Sequence, residues 1–199
     1  AKYKHQGADS VVMEVSSHGI VQGRINGTAF SVAVLTNLSR DHLDYHQDMD
    51  AYAATKARLF FWPKLKYAVI NMDDVLGVEL SRQLANKTTK IMGYGFRYPE
   101  AGCYSPHFKM LYGSNLKADI EGIEFDIDYE DCHEHLRIGL LGKFNASNLL
   151  AVIAILIASG IKLSDAVRAL QHVQPIPGRM EKYGGINQPI IIVDYAHTP

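Results

Sequence analysis

The stretch that decides the fold is residues 30–46, FSVAVLTNLSRDHLDYH. Its apolar beginning, residues 30–35, predicts a buried β-strand, and residues 49–61 have the periodicity of a helix. The connection between them holds four side chains with oxygen or nitrogen ligands: Asp41, His42, Asp44 and His46. Open α/β sheets bind ligands at the carboxyl ends of their strands, so the stretch predicts a site at that edge. These side chains suit a divalent metal, but they are equally suited to capping the helix and bracing the turn.

The rest of the chain alternates between strands and helices. Strands are predicted at residues 10–15, 67–71, 90–92 and 190–193, and helices at residues 49–61, 74–85, 145–158 and 164–173. This alternation favours an α/β fold with a mostly parallel central sheet flanked by helices. Between residues 93 and 141, short alternating runs predict a small antiparallel excursion on the edge of that sheet. We expect Asp48 or Asp50 to cap the first long helix, Ser164 to cap the last helix, and the final strand to lie in the core.

Composition limits the class of protein. The chain has 199 residues and a net charge of -1, which gives no sign of a nucleic-acid-binding or membrane surface. Two cysteines are too few for a disulfide framework, and the sequence has no recognisable signal peptide, so a cytoplasmic setting is expected. The chain begins without Met close to a predicted core strand and stops just past another. We therefore expect a piece of a longer protein.

Two charged residues stand within apolar patterns. Glu14 lies in the first predicted strand, where a buried carboxylate needs a cation or hydrogen-bond donors; the alternative is a strand-end Glu turned to solvent. Lys56 shares one helical face with the side chains of Tyr52, Leu59 and Phe60. It is either a lysine with a buried stem and a solvated ammonium, or a lysine beside a metal whose lowered pKa frees the amine to react.

Further polar residues follow the later strands and open a later helix. Asn145 and Asn148 are three residues apart at a helix start, so they face the same way and suit a base edge or a phosphate; alternatively, one of them caps the helix. Arg179 follows a rigid turn at residues 175–178 and suits a phosphate. Asp194 follows the final strand and suits a ribose or a metal. No Walker A motif occurs in the sequence.

Taken together, these motifs resemble the Mur ligases, the ATP-dependent ligases of peptidoglycan-precursor synthesis. The motifs are EVSSHG at 14–19, TNL at 36–38, DHLDYH at 41–46, Lys56 with Leu59 and Phe60, Phe144 and Asn145 with Asn148, PGRME at 177–181 and VDYAHTP at 193–199. They occur in the family's order and cover nearly the whole chain. The DHLDYH and DYAHTP motifs favour the branch that adds the third residue of the stem peptide.

The resemblance implies a reaction. A Mur ligase of this branch uses ATP to phosphorylate the terminal carboxylate of UDP-N-acetylmuramoyl-L-Ala-D-Glu. The amine of an incoming amino acid, diaminopimelate or lysine, then attacks the acyl phosphate. Magnesium ions screen the phosphate charge while the protein positions the groups.

The resemblance also implies roles for individual residues. Glu14 and His42 match magnesium ligands, and Lys56 matches a lysine whose carbamate, formed with carbon dioxide, is a further metal ligand. The positions that match substrate contacts are Ser16, Gln22 and Arg24 for the UDP-sugar peptide, Asn145 and Asn148 for adenine, and Arg179 and Asp194 for phosphate and ribose. On this basis Asp41, Asp44 and His46 support the loop rather than bind the metal.

The same resemblance implies a domain organisation. Residues 1–199 correspond to the central ATP-binding domain trimmed at both ends, without the Gly-rich phosphate loop, the N-terminal UDP-binding domain or the C-terminal domain. We therefore expect a bacterial, monomeric protein, and we expect this stretch of chain alone to lack ligase activity because the phosphate cradle is missing.

Three other interpretations stay open on the sequence. One is another Mur or folylpolyglutamate-type ligase, and a second is a non-catalytic domain that binds nucleotide. The third is a metallohydrolase built on the DHLDYH residues. A zinc site was also considered from Cys103, His107, Cys132, His133 and His135, whose spacing matches no common zinc pattern.

Overall fold

The computed structural model describes residues 2–39, 46–98, 106–186 and 188–196. Its helices are α1 Lys2–His5, α2 Ser17–Val21, α3 Met49–Ala57, α4 Val75–Leu84, α5 Lys143–Ala158 and α6 Leu163–Leu170, and a 3-10 turn, Arg58–Phe61, continues α3. Its strands are β1 Val32–Leu35, β2 Tyr67–Asn71, β3 Lys90–Gly95, β4 Phe108–Asp119, β5 Gly122–Tyr129, β6 Cys132–Ile138, β7 Glu181–Gly184 and β8 Ile190–Val193.

The main sheet has six strands in the order β1-β2-β3-β4-β5-β6. The first three pairings are parallel, and the last two are antiparallel. This confirms the predicted α/β fold, with a mostly parallel sheet and an antiparallel excursion at its edge. The excursion begins on β4, which is still parallel to β3 and then turns back as β5.

Two apolar clusters cover the two faces of the parallel strands. Val69 of β2 belongs to one cluster with the buried face of α5, whereas its neighbours Ala68 and Ile70 belong to the other with Leu80 of α4. Successive residues of a strand point to opposite faces, so a strand covered on both faces is apolar throughout. This explains why β2 reads as the continuous run YAVIN.

Residues 10–15 are not a strand, so that prediction is wrong. They have no regular secondary structure, and the side chains of Val11, Val12 and Met13 are 74%, 90% and 51% exposed. Their β propensity is real, but a strand forms only where a neighbouring strand takes its backbone hydrogen bonds. None of the strand pairings among the described residues includes this segment.

The final predicted strand forms but does not lie in the core. β8 pairs antiparallel with β7 in a separate two-stranded sheet, and all four of its residues are exposed. The run IIIV is apolar enough for a buried strand, and sequence pattern alone does not say which sheet a strand joins.

Helix starts were predicted partly correctly. Asp48 caps α3, because its carboxylate accepts a hydrogen bond of 2.8 Å from the Ala51 amide. Ser164 does not cap α6; it is the second residue of the helix, whose N-cap position is Lys162, and the helix ends at Leu170 rather than at 173. Neither Asn145 nor Asn148 is an N-cap, because α5 begins at Lys143 after Gly142.

We expect Gly77→Ala to lower the free energy of unfolding by about 3 kcal/mol, the upper end of overpacking costs. Gly77 lies where α4 crosses the end of β2, and a Cβ there would be 1.9 Å from the Asn71 carbonyl oxygen. Gly19→Ala in α2 is the matched control, since its Cβ would meet only the Ser16 hydroxyl at 3.4 Å. Urea unfolding measures both variants, and equal midpoints would contradict the account.

We expect Tyr94→Phe to make unfolding less sensitive to alkaline pH. The Tyr94 hydroxyl donates to the Leu35 carbonyl oxygen at 3.0 Å, and burial, with Asp73 and Asp74 nearby, raises its pKa well above the usual value. Above pH 10 the unfolded chain releases this proton while the folded chain keeps it, so wild-type stability falls by up to about 1.4 kcal/mol per pH unit from this group.

At pH 8 the free energy of unfolding of the variant is about 1 kcal/mol lower, because the hydrogen bond is missing. Above pH 10 it falls less steeply with pH than that of the wild type. Urea unfolding of both proteins from pH 8 to 11 measures the difference. Parallel stability curves would show that Tyr94 does not hold its proton in the folded state.

Candidate functional site

The connection after β1 is held by side chains from the neighbouring strands. Tyr94 of β3 donates to the Leu35 carbonyl oxygen at 3.0 Å, and the Asn71 amide at the end of β2 donates to the Thr36 carbonyl oxygen at 2.6 Å. Both side chains are buried, so these hydrogen bonds form away from competing water. The two bonds fix the main chain where it leaves the carboxyl edge of the sheet.

The next two residues of the same connection are held by the helices. The Leu38 amide donates to Oδ2 of Asp74 at 2.8 Å, while the other carboxylate oxygen of Asp74 caps α4. Lys56 of α3 donates from Nζ to the Asn37 carbonyl oxygen at 3.3 Å. We call residues 35–38 the 35–38 turn; each of its four residues is tied through its main chain to a side chain from a different element.

Lys56 is partly buried, and its ammonium has two contacts among the described residues. Besides the Asn37 carbonyl, Nζ lies 4.9 Å from the centre of the Tyr52 ring. A carbonyl oxygen and an aromatic face both attract a cation. Tyr52 therefore shares a helix face with Lys56 as predicted, whereas Leu59 and Phe60 lie on the 3-10 turn that continues α3.

The residues matched to the UDP-sugar peptide lie around α2. Ser16 caps this helix, because its hydroxyl accepts from the Gly19 amide at 3.1 Å, and Gln22 is the residue directly after it. Glu14 and Arg24 are exposed, so Glu14 does not pay the desolvation cost that a buried strand position implied. No hydrogen bond or ion pair links Glu14 to Lys56 in the part of the chain that the structure describes.

A buried polar contact joins α2 to the start of α3. His46 is 6% exposed, and its Nε2 lies 2.8 Å from the Ser17 hydroxyl, which is 2% exposed. The His46 ring stacks on Tyr52 with centroids 5.1 Å apart and meets the edge of His18 at 5.6 Å. His46 was predicted to support the loop. Its hydrogen-bond partner, Ser17, was not predicted from the sequence.

The two asparagines of α5 lie side by side. Asn145 donates from its amide to the Leu141 carbonyl oxygen at 2.8 Å, and Asn148 donates to the Asn145 side-chain oxygen at 3.2 Å. Asn148 is exposed and Asn145 partly so. Their expected common direction at the helix start is confirmed.

Arg179 and Asp194 lie on segments that the structure brings together. The Tyr195 amide donates to the Gly178 carbonyl oxygen at 2.9 Å, and a Cβ on Gly178 would be 2.3 Å from the Tyr195 ring. Gly178 has a φ of +73°, so the turn requires glycine for both its conformation and its close approach. The side chains of Arg179 and Asp194 are exposed on this turn and on the end of β8.

The same turn is closed by a carboxylate. Glu181 accepts from the Gly178 amide at 2.9 Å. Hydrogen bonds from the Tyr183 side chain and from this amide lower the pKa of the Glu181 carboxyl. The predicted rigid turn before Arg179 is therefore anchored by the residue that completes the PGRME motif.

Two of the three histidines in the candidate zinc set, His133 and His135, face carboxylates. His133 and His135 on β6 bond through Nδ1 to Asp128 and Asp126 across the sheet, each at 2.7 Å, and the Asp128 bond raises the pKa of His133. Within the described ranges, no group of three or more His, Cys, Asp or Glu side chains is placed to hold a metal ion. Four candidate residues lie outside those ranges: Asp41, His42, Asp44 and Cys103.

Sequence reasoning missed most of the residues that hold the 35–38 turn. The sequence predicts Asn71 only as the end of a strand and Asp74 only as a helix start, and it leaves Tyr94 outside the strand predicted at residues 90–92. A usable signal existed for Asn71, since an amide that ends a fully apolar run must find a hydrogen-bond partner near the edge of the sheet. Tyr94 gave no comparable signal, because tyrosine is common in strands.

Comparison with known proteins identifies the family of this chain. The sequence model of one protein family, the Mur ligase middle domain, matches residues 1–156. The UDP-N-acetylmuramoyl-L-alanyl-D-glutamate--2,6-diaminopimelate ligase of Nitrosomonas europaea is 60% identical over 200 residues, which cover 100% of this chain and 38% of that protein. The ligase of the same name from Chromobacterium violaceum is 45% identical, again over 100% of this chain and 38% of its own.

Solved structures of Mur ligases share the fold of this chain. One UDP-N-acetylmuramoyl-L-alanyl-D-glutamate--2,6-diaminopimelate ligase superposes with a TM-score of 0.83 at 36% identity, covering 99% of this chain and 39% of its own. The MurF ligase of Thermotoga maritima in complex with ADP has a TM-score of 0.65 at 15% identity over 88% of this chain and 38% of its own, which shows a shared fold.

The chain thus spans about two-fifths of the length of the relatives it matches. In the described part, no helix combines the length and the apolar character needed to cross a membrane. The family match extends over most of the chain, through the 35–38 turn, Lys56 and the two asparagines of α5. The chain belongs to the Mur ligase middle domain family.

Proposed function

We propose that this chain supplies the ATP-dependent step of a ligase that joins 2,6-diaminopimelate to UDP-N-acetylmuramoyl-L-alanyl-D-glutamate. The support is the name shared by relatives that are 60% and 45% identical across the whole chain. The sequence left diaminopimelate and lysine open as the added residue, and these names favour diaminopimelate. The protein acts as a monomer in the bacterial cytoplasm, in peptidoglycan synthesis, and neither nucleic acid nor membrane is a partner.

The observation that carries the proposal is the position of Lys56. Its Nζ lies at the carboxyl edge of the sheet, 3.3 Å from the Asn37 carbonyl oxygen in a turn held by three further side chains. This is the edge at which α/β sheets bind their substrates. A lysine side chain whose end is held in a fixed position at that edge is suited to positioning phosphate groups.

The reaction is a transfer in two stages. The terminal carboxylate of the dipeptide attacks the γ-phosphorus of ATP, so that ADP leaves and an acyl phosphate forms. The amine of diaminopimelate then attacks the acyl carbon, loses a proton, and expels inorganic phosphate as the amide bond forms. Such transfers depend on positioning and on stabilising negative charge rather than on covalent chemistry by the protein.

Magnesium is the cofactor that this chemistry requires, and Glu14, His42 and a carbamate on Lys56 are its proposed ligands. Oxygen donors suit this cation, and the exposed Glu14 carboxylate is available as one of them. When bound, magnesium neutralises charge on the phosphates. Carbamylation needs the neutral Lys56 amine, which attacks carbon dioxide and loses a proton, and so converts a cation into an anion.

The remaining residues hold the substrates. Asn145 and Asn148 present adjacent amides for the adenine, and Arg179 and Asp194 present a cation and a carboxylate for the phosphate and ribose. Ser16, Gln22 and Arg24 contact the UDP-sugar peptide around α2. The solved MurF structure that shares this fold contains ADP, which supports a nucleotide site on the same scaffold.

We expect Lys56→Ala in the full-length protein to lower kcat for ADP release by at least about a hundredfold, the usual scale for loss of a positioned charge-stabilising group. ADP release is measured with ATP, magnesium, UDP-N-acetylmuramoyl-L-alanyl-D-glutamate and diaminopimelate. A short carboxylic acid added to the variant should restore part of the rate, because its carboxylate replaces the carbamate.

Lys56→Arg is the matched control, since it keeps the positive charge but forms no comparable carbamate, and it should be as slow as Lys56→Ala. Full activity in either variant would exclude the carbamate role. A wild-type protein that binds ATP but releases no ADP would instead identify a non-catalytic nucleotide-binding domain. Product formation with lysine in preference to diaminopimelate would contradict the proposed substrate.

A further inference from the structure

A buried side chain–side chain contact lies outside the roles assigned so far. Four polar side chains are buried in the part of the chain that the structure describes: Ser17, His46, Asn71 and Ser81. Asn71 and Ser81 donate to main-chain carbonyls, whereas Ser17 and His46 bond to each other across 29 residues of sequence. Burying two polar groups is costly compared with an apolar pair, and their bond fixes one arrangement of the two elements.

The contact lies between two parts of the proposed site. On one side, Ser17 directly follows Ser16, the N-cap of α2 and a proposed contact of the UDP-sugar peptide. On the other side, the His46 ring stacks on Tyr52 with an interplanar angle of 24°, and the Tyr52 ring faces the Lys56 ammonium. A continuous line of contacts therefore runs from α2 to the lysine head.

His46 is also fixed through its main chain. Its carbonyl oxygen accepts from the Asp48 amide at 2.8 Å, and Asp48 is the N-cap of α3. His46 therefore lies directly before the helix that carries Lys56. The side chains of His46 and Ser17 are both buried.

We infer that His46 is a positioning residue of the ligase: its hydrogen bond to Ser17 and its stack on Tyr52 hold Ser16 of α2 and Lys56 of α3 in one constant geometry. This inference rests on the proposed function. It assigns His46 no proton transfer and no metal contact. Its consequence is that loss of the bond between Ser17 and His46 weakens the affinity for the UDP-sugar peptide more than the affinity for ATP, because the proposed adenine and ribose contacts lie on α5 and at Asp194.

The test is steady-state kinetics of ADP release by the full-length protein, with each substrate varied in turn. We expect His46→Leu to raise KM for UDP-N-acetylmuramoyl-L-alanyl-D-glutamate about tenfold, the equivalent of one lost hydrogen bond, with a smaller rise in KM for ATP. His46→Gln should recover most of the affinity, because its amide reaches the position of Nε2. Ser17→Ala should match His46→Leu, and the double variant should be no worse than either single variant.

Val167→Ala is the control for a merely structural effect. Val167 is buried in α6 within the other apolar cluster, so its truncation lowers the thermal midpoint without touching the contact. It should leave both KM values unchanged. If His46→Leu behaves like Val167→Ala, with a lower midpoint and an unchanged KM, the inference is overturned.

The rate of ADP release by the wild-type enzyme distinguishes a refuted positioning role for His46 from a refuted proposed function. An active wild-type enzyme with an unaltered KM in His46→Leu refutes the positioning role alone. A wild-type enzyme without ADP release dependent on the UDP-sugar peptide refutes the proposed function, and the positioning role with it.

Discussion

The structure depends on how the main chain is held as it leaves β1. Four consecutive residues of the 35–38 turn are tied by side chains from β3, β2, α3 and α4. A connection at the edge of a sheet has no ladder to satisfy its peptide groups, so each must find another partner. Here the partners come from two strands and two helices, so the position of the turn depends on how these four elements pack.

This constraint explains why the candidate site is built on a rigid base. Lys56 reaches the turn directly, while α2 is joined to α3 through the buried contact between Ser17 and His46. Residues that position phosphate groups act through constant geometry, and small displacements are costly. The hydrogen bonds that join the turn to Lys56 and α2 to His46 keep this geometry fixed through several moderate interactions.

The sequence predicted the parallel strands and their helices because both faces of those strands are covered, which leaves a clear apolar pattern. It was wrong about a strand at residues 10–15 and about a core position for the strand at residues 190–193, because an apolar run does not reveal which partner strand, if any, lies beside it. At the site, it identified Lys56 from its helix face but missed Tyr94 and Ser17. The roles of those two residues come from contacts 59 and 29 residues away along the chain.

The central proposal is that a carbamate on Lys56, whose amine is placed by the 35–38 turn and α3, is a metal ligand. The most direct measurement is the electron density at Lys56 Nζ in crystals of the full-length protein grown with bicarbonate, magnesium and a non-hydrolysable ATP analogue. The account predicts planar carbamate density on Nζ, directed at a magnesium ion, with the hydrogen bonds of Tyr94, Asn71 and Asp74 to the turn unchanged. An unmodified amine still on the Asn37 carbonyl oxygen, with nucleotide and magnesium bound, would contradict it.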